Sequence, residues 1–315
     1  MLKIHDLYKK YGKSTALDGL SLHINEGEMY GFVGPNGAGK TTTMKIVAGL
    51  LGADGGQVYV DGIDAIKYPK RVKEKIAYMP DFFGVYDNLK VLEYMKFFAS
   101  IYDIQNKEAE IYCMELLEMV GLSHKTGCYV DELSRGMKQK LCLARCLIHD
   151  PKLLILDEPA SGMDPKARFE FKEILKRLNQ LGKTVLISSH ILTELAELCT
   201  NIGIIDDGKL LLSDTIDEVF KTLNTSSPLV ITVLDDVEKT VSCLSNNPFI
   251  ENLSFKENSI RINTTGDLHM EALLLKMLID KGILVTEFRR EKRNLESIFL
   301  KIIEGKDNDE DEPRV

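Results

Sequence analysis

The sequence predicts an α/β protein with a phosphate-binding loop, followed by a smaller α+β domain. A short apolar run at 29–33 leads into a glycine-rich loop and then a helical pattern. Two more apolar runs, 153–156 and 184–188, flank a helical segment at 168–181, as expected for parallel strands buried on both faces and joined by a crossover helix. After residue 228 the order of strand and helix patterns changes to βαββαβ.

Composition places limits on the function. The 315 residues are 44% hydrophobic and 28% charged, which is globular in character and long enough for about two domains. The net charge of −8 gives no excess of positive charge that would attract nucleic acid, so we expect no nucleic-acid partner. No signal-peptide core and no run of about 18 apolar residues is found, so we expect a cytosolic chain without its own membrane span. The six cysteines lack any C-x-x-C pair and are predicted to be reduced core thiols.

Residues 34–41 have the sequence Gly-Pro-Asn-Gly-Ala-Gly-Lys-Thr, which is typical of a loop that surrounds phosphate groups. The glycines let backbone N–H groups turn inward, and the predicted helix at 41–50 adds a partial positive charge at its N-terminus. Lys40 supplies a full positive charge, and the Thr41 hydroxyl suits Mg²⁺. The predicted ligand is therefore a nucleoside triphosphate with Mg²⁺, bound by Gly34, Pro35, Asn36, Gly37, Ala38, Gly39, Lys40, Thr41 and Thr42.

The segments around this loop predict two kinds of structure. Alternating runs at 2–8, 16–24 and 57–60 indicate antiparallel strands. From 85 to 148 the apolar spacing becomes helical, most clearly at 91–101 and 109–120, which predicts a helical insertion.

The C-terminal part predicts a ferredoxin-like domain at 229–305. We expect strands at 229–234, 250–255, 259–262 and 283–288, and helices at 237–244, 268–278 and 295–303. The linker is expected at 223–228, and the acidic tail at 306–315 is expected to be disordered because it has too little apolar surface to fold.

Two acidic residues, Asp157 and Glu158, follow the apolar run at 153–156. The carboxyl end of a parallel strand is where ligands bind in such sheets. We expect Asp157 to hold Mg²⁺ and Glu158 to accept a proton from the water that attacks the γ-phosphate. The alternative is that both carboxylates cap the turn before Pro159.

Residues 133–139, Leu-Ser-Arg-Gly-Met-Lys-Gln, begin a helix that runs to about residue 148. With this motif the sequence, over residues 1 to about 220, resembles the nucleotide-binding subunit of an ABC transporter. The resemblance depends on motifs in the family's order: the 34–41 loop, the 133–139 signature, Asp157-Glu158, Ser161-Gly162-Met163-Asp164, and His190 after Ser188-Ser189.

The resemblance implies a P-loop NTPase domain of the ABC ATPase type at 1–222, with an antiparallel β-subdomain and a helical subdomain at about 83–148. It also implies that two subunits, as a homodimer or as a pseudo-dimer with another ATPase subunit, close head to tail. Ser134 and Gly136 of one subunit would then contact the γ-phosphate held by Lys40 of the other.

Three further roles follow from the same resemblance. Asp164 would cross the dimer interface, and His190 would contact the γ-phosphate. Tyr11, ahead of the phosphate loop, would stack its ring on adenine.

The chain departs from the family pattern at two places. The usual signature is Leu-Ser-Gly-Gly-Gln, whereas Arg135 and Met137 occupy its third and fifth positions here. Arg135 either lies in solvent, which we favour, or adds positive charge near the γ-phosphate. Asp81 stands where the family has a glutamine that touches the metal and the attacking water. A carboxylate can bind a metal through water but cannot donate a hydrogen bond, and a simple turn role for Asp81 is the alternative.

The resemblance implies an ATPase that energises a separate integral membrane permease. The single cassette with its C-terminal domain resembles subunits of bacterial exporters of the multidrug, antibiotic or bacteriocin-immunity type, and an importer is the alternative direction of transport. The chain would sit peripherally at the cytoplasmic face of the membrane. Phe82, Phe83 and Tyr86 are expected to touch the permease. The alternative function is a soluble ABC ATPase acting on ribosomes or DNA. For the C-terminal domain we favour a role in bracing the dimer over binding of a regulatory ligand.

Overall fold

The computed structural model describes residues 1–81, 84, 86, 88–219, 228–245, 247–264 and 268–290. Its contacts divide the chain into two compact units, Met1–Ile216 and Asp217–Val315. Several of the predicted features lie outside the described residues: residues 223–227 of the linker, the helix at 295–303, the acidic tail, Phe82 and Phe83.

The first unit contains ten strands and seven α-helices among its described residues. It opens with β1 (Leu2–Tyr11), β2 (Ser14–Ile24), β3 (Met29–Val33), α1 (Lys40–Val47), β4 (Gly55–Val60) and β5 (Ile63–Asp64). It continues with α2 (Pro69–Lys73), β6 (Ile76–Met79), α3 (Val91–Ile101), α4 (Asn106–Met119) and α5 (Arg135–Leu147). It ends with β7 (Leu153–Leu156), α6 (Pro165–Gln180), β8 (Thr184–Ser189), α7 (Leu192–Ala196), β9 (Asn201–Asp206) and β10 (Lys209–Thr215).

The central sheet has six strands in the order β10-β9-β3-β8-β7-β6. Its strands are parallel except for the antiparallel edge strand β10. Every residue of β3 and β7 is buried, which explains their continuous apolar sequences and confirms the predicted α/β class. The carboxyl ends of β3, β8, β7 and β6 lie at one edge of the sheet, so the loops that follow them are neighbours.

A second, antiparallel sheet has the order β2-β1-β4-β5. Leu2, Leu7 and Leu20 of this sheet share a buried core with Phe32 of β3 and Met44 of α1. Full burial of such a side chain contributes about 1.5–3 kcal/mol, so this packing fixes the β1–β2 hairpin against the phosphate loop.

The helices α3, α4 and α5 lie between β6 and β7 in the chain, where the helical insertion is predicted. The first of them begins at Val91, six residues after the predicted change of period. Tyr94 of α3 is fully buried, and its hydroxyl accepts a hydrogen bond of 2.9 Å from Arg145 of α5. All six cysteines are free thiols, as predicted, and four of them are buried.

The second unit contains β11 (Leu229–Val233), α8 (Val237–Ser245), β12 (Ile250–Lys256), β13 (Ser259–Thr264), α9 (Leu268–Asp280) and β14 (Val285–Arg290). Its sheet has the antiparallel order β12-β13-β11-β14, which is a ferredoxin-like arrangement. Leu229, Ile231, Ile260 and Ile262 on one sheet face form its core with Leu278 of α9.

Candidate active site

The loop between β3 and α1 has a backbone that only glycine adopts without strain at two positions. Gly37 has φ +90° and Gly39 has φ +108°. A Cβ on Gly39 would also lie 2.7 Å from the carbonyl oxygen of Ala16 in β2. The loop is therefore pressed against the β1–β2 hairpin, and α1 begins directly after it at Lys40.

Lys40 is nearly fully buried beneath this loop. Its Nζ donates hydrogen bonds to the carbonyl oxygens of Gly34 at 2.6 Å and Pro35 at 3.0 Å. The same atom lies 3.8 Å from Glu158 Oε1. Burial lowers the pKa of Lys40, and the carboxylates of Glu158 and Asp157 oppose this effect. A desolvated positive charge thus lies at the start of α1, beneath the loop and beside Glu158.

Asp157 is held by side chains from the strands on either side of β7. Ser188 Oγ, at the end of β8, donates a hydrogen bond of 2.8 Å to Asp157 Oδ1 and accepts one of 3.0 Å from the Glu158 N–H. The Tyr78 hydroxyl of β6 donates to Asp157 Oδ2 at 3.4 Å. Burial, reinforced by the charge of Asp157, raises the pKa of Tyr78 well above its usual value, so Tyr78 remains a donor.

Glu158 occupies the left-handed backbone region, with φ +48°. Its Oε2 is 2.9 Å from His190 Nδ1, and because a carboxylate only accepts, Nδ1 carries the proton. Glu158 Oε1 is buried and accepts no hydrogen bond from the residues that the structure describes. One acceptor atom is therefore free at the edge of the site, beside the Lys40 ammonium.

Asp81 lies one residue beyond Pro80, after the end of β6. Its Oδ1 is buried and has no hydrogen-bond partner in the described part of the chain. Burial and the negative charge of Asp157 raise the pKa of Asp81, whereas the positive charges of Arg135 and His190 lower it. The charges of Asp157 and His190 thus both act on Asp81.

Arg135 is exposed, as expected, but its guanidinium is not simply in solvent. It lies against Gly162, where a Cβ would collide with it, and Gly162 has φ +67°. This contact joins the start of α5 to the loop before α6.

Ser134, Gly136 and Asp164 line a cleft of their own between α5 and α6. Ser134 Oγ caps α5 by accepting from the Met137 N–H at 3.3 Å, and Asp164 Oδ1 caps α6 by accepting from the Ala167 N–H at 2.9 Å. A Cβ on Gly136 would lie 2.8 Å from the Ala167 Cβ, so the two helices approach at this glycine.

The remaining predicted ligand residues lie at the mouth of the phosphate loop or on the hairpin beside it. Thr41 is exposed and Thr42 is half-buried at the start of α1. Tyr11 ends β1 with 51% of its surface exposed, in the hairpin that contacts Gly39 through Ala16. Tyr11 therefore presents a half-exposed aromatic ring on this hairpin, with Lys9 Nζ 5.7 Å from the ring centroid.

Comparison with known proteins identifies the family. A sequence profile described as ABC transporter matches residues 17–161. The chain is 36% identical over 309 residues to the bacitracin transport ATP-binding protein BcrA of Bacillus licheniformis, covering 97% of this chain and 98% of that protein. The chain belongs to the ABC transporter family. It is an ATP-binding and ATP-hydrolysing subunit of a transporter.

Another similar protein and a similar solved structure support the assignment of this chain to the ABC ATPases. The linearmycin resistance ATP-binding protein LnrL of Bacillus subtilis is 32% identical over 305 residues, with 96% of this chain and 98% of that protein covered. A dimeric ATP-binding cassette, MJ0796, solved in a post-hydrolysis state with ADP and Pi, matches with a TM-score of 0.63 and 26% identity. That match covers 69% of this chain and 99% of the solved chain.

Three residues of this ABC ATPase site were not among those predicted. Ser188 and Tyr78 hold Asp157, and the buried Gln139 donates from Nε2 to the Ser161 carbonyl at 3.2 Å. The parallel pairing of Leu156 with Ile187 puts Asp157 beside Ser188. Strand register was therefore the signal that could have identified Ser188.

The candidate metal-binding residues of the ABC ATPase are suited to a nucleotide that carries Mg²⁺. Among the described residues, no three His, Cys, Asp or Glu side chains form a metal site by themselves. Mg²⁺ is commonly held by one or two protein oxygens together with substrate phosphates, which suits Thr41 and Asp157 beside a phosphate loop.

In the described part of the chain, none of the helices has the length and apolar character needed to span a bilayer.

Proposed function

We propose that this ABC ATPase drives an exporter of antibiotic-type compounds through a separate membrane permease. The observation that carries the proposal is the similarity to BcrA, which extends over nearly the whole of both chains. BcrA is named for bacitracin transport and LnrL for linearmycin resistance. These names disfavour the alternative of an ATPase acting on ribosomes or DNA.

In the proposed hydrolysis, Glu158 accepts the proton of the attacking water. Its Oε1 supports this role, because this atom faces Lys40 at 3.8 Å and accepts no hydrogen bond from the described residues; the hydrogen bond from His190 fixes the orientation of the carboxylate. Lys40 neutralises charge that develops on the transferred phosphoryl group. Mg²⁺, held by Thr41 and Asp157 when bound, would offset the charge of the phosphates. Asp81 contributes a buried carboxylate oxygen near Asp157 and is a second candidate for water-mediated metal contact.

We propose that two copies close head to tail, so that Ser134, Gly136 and Asp164 of one subunit complete the site of the other. In one chain these residues line a cleft between α5 and α6, whereas Lys40 lies beneath the loop after β3. The similar cassette MJ0796 was solved as a dimer, which supports pairing of two copies of this chain.

The permease contact is proposed at the aromatic side of α3. Tyr86, Phe97 and Ile101 are each exposed by 45% or more, and the Tyr86 ring meets Phe97 edge-on at 5.3 Å. Phe82 and Phe83, predicted to join this contact, lie outside the described residues. Such binding would place the subunit peripherally at the cytoplasmic face of the membrane.

We further propose that the ATPase domain spans 1–222 and the accessory domain 229–305, the latter bracing the dimer. Removal of residues 229–315 would then weaken dimer formation with ATP more than it weakens ATP binding by the monomer.

Capture from detergent-solubilised membranes tests the proposed partner. An integral membrane permease should co-purify with the tagged full chain. The Phe97→Asp variant should no longer capture this permease but should still hydrolyse ATP in solution. Tyr68→Asp, which changes an exposed tyrosine on the turn before α2, serves as the matched control. Recovery of ribosomes without any membrane protein would overturn the transporter role.

A further inference from the structure

Arg168, in the first turn of α6, contacts two segments that carry candidate site residues. Its Nη1 forms an ion pair with Oε1 of Glu194 in α7, and its Nη2 donates a hydrogen bond of 3.3 Å to the Met163 carbonyl oxygen. Met163 directly precedes Asp164, the residue that caps α6. The helix that contains Glu194 begins at residue 192, two residues after His190. One guanidinium thus connects the loop before α6, residues 161–164, with the helix that follows His190.

A cavity of about 220 Å³ lies between α6, β8 and α7. Ser161 and Gly162 of the 161–164 loop line it, together with Arg168, Glu158 and His190. Protein interiors are normally close-packed, with few voids larger than a water molecule. Because the side of the loop that faces this cavity is not close-packed, hydrogen bonds and ion pairs have to fix the position of the loop there.

A second ion pair joins the same two helices one turn further along α6. Lys172 Nζ lies 2.9 Å from Oε2 of Glu197, which follows the last residue of α7. The Glu197 side chain is 73% exposed, whereas that of Glu194 is only 16% exposed. Loss of one partner is more costly in the more buried pair, because the other charge is left uncompensated. Both pairs brace α6 against α7, and the pair that contains Arg168 also reaches the 161–164 loop.

We infer that Arg168 is a positioning residue that couples the 161–164 loop to His190. The inference rests on the proposed function, in which Asp164 crosses the dimer interface and Glu158 is the base. Contact of a second subunit with Asp164 moves the loop, and the guanidinium transmits this movement to Glu194 and the start of α7. The hydrogen bond of 2.9 Å between His190 and Glu158 responds to that movement, so hydrolysis depends on dimer closure.

Steady-state hydrolysis of MgATP by the full chain tests the coupling. Arg168→Met should lower kcat about tenfold, because His190 and Glu158 lose their fixed position, and KM should change less than about twofold because the phosphate loop is untouched. Glu194→Gln should lower kcat about threefold or more, and its addition to Arg168→Met should cost less than about twofold further. Independent, multiplicative losses in the double variant would overturn the coupling.

The neighbouring ion pair supplies the matched controls, Lys172→Met and Glu197→Gln. Both variants should keep kcat within about twofold of the wild type. A loss in Lys172→Met as large as that in Arg168→Met would overturn the inference, because bracing of α6 against α7 would then explain both. Urea unfolding measures the free energy of unfolding of each variant. If Arg168→Met does not fold, the comparison of Glu194→Gln with Glu197→Gln decides the inference by the same criterion.

A second readout does not require hydrolysis. In the Glu158→Gln background with ATP, Arg168→Met should raise the dissociation constant of the dimer about tenfold, because the loop that carries Asp164 loses an anchor. Lys172→Met should change this constant less than about twofold. An unchanged constant in Arg168→Met, measured by analytical ultracentrifugation, would overturn the link to the loop. If the Glu158→Gln chain itself forms no dimer with ATP, the proposed head-to-tail assembly is wrong, and the kcat comparison still decides whether Arg168 positions His190.

Discussion

His190 donates a hydrogen bond of 2.9 Å from Nδ1 to Glu158 Oε2, which ties the end of β8 to the end of β7. The other oxygen of Glu158 faces Lys40 at 3.8 Å, from the loop after β3. The Glu158 carboxylate, after β7, thus lies between two basic groups that follow the other two strands, β8 and β3. Any shift of the phosphate loop or of the histidine changes the surroundings of the proposed base.

Glu158→Gln should lower the turnover number for ATP by a factor on the order of 10² or more, because an amide cannot accept the proton of the attacking water. ATP binding should persist and the ATP-bound dimer should accumulate, since the amide has nearly the size of the carboxylate. Phosphate release and size-exclusion chromatography with ATP measure the two effects. Glu173→Gln on the exposed face of α6 is the control, and near-normal turnover of Glu158→Gln would reject Glu158 as the base.

Lys40→Ala should weaken ATP binding by a factor of roughly ten to a hundred, as expected for loss of a charged hydrogen-bond donor worth about 1.5–3 kcal/mol. Lys45 lies on the same helix but is exposed, so Lys45→Ala should bind ATP like the wild type. Equilibrium titration with a fluorescent ATP analogue measures both. An unchanged affinity of Lys40→Ala would contradict the phosphate role of this loop.

The elements of the fold could be predicted from the sequence where burial determines the order of apolar and polar residues. The strands β3 and β7 are buried on both faces, so their apolar runs identify them directly. The strands and helices of the second unit, β11 to β14, also lie within a few residues of the predicted ranges, because each has one apolar face.

The site was less predictable where contacts join segments distant in sequence. Nothing in the local pattern of Ser188 indicates its bond to Asp157, which depends on the register between β7 and β8. The Arg135 guanidinium was expected in solvent, and its contact with Gly162 arises only once α5 and α6 are packed together. Local periodicity carries no information about such pairings.

Ser188→Ala should reduce kcat about tenfold, equivalent to about 1.4 kcal/mol of barrier, and raise the Mg²⁺ concentration needed for half-maximal activity. The serine hydroxyl orients Asp157 and also accepts from the Glu158 N–H, so its loss disturbs both acidic residues. Ser213→Ala removes a hydroxyl bonded to Tyr30 elsewhere in the domain and serves as the control. The same Mg²⁺ dependence in Ser188→Ala and wild type would argue against a role in positioning Asp157.

Gly136→Ala should destabilise the ATPase domain by about 1–3 kcal/mol, the usual cost of inserting a methyl group into a packed contact. The new Cβ would lie 2.8 Å from the Ala167 Cβ. Ala167→Gly in the same chain should restore the free energy of unfolding, measured in urea. If ATP hydrolysis stays low in this double variant, Gly136 is needed at the γ-phosphate of ATP as well as between the two helices. Full recovery of hydrolysis would mean that Gly136 is needed for helix packing alone.

Tyr11→Ala should weaken ATP binding by a factor of about 5 to 150, corresponding to the roughly 1–3 kcal/mol that stacking of a base on an aromatic ring contributes. The ring is half exposed at the end of β1, and the following strand contacts the phosphate loop at Gly39. Tyr11→Phe keeps the stacking face and should bind ATP like the wild type. GTP should lose affinity to a similar extent in Tyr11→Ala, because stacking tolerates any purine. Unchanged nucleotide affinity in Tyr11→Ala, measured by equilibrium titration, would remove Tyr11 from the site.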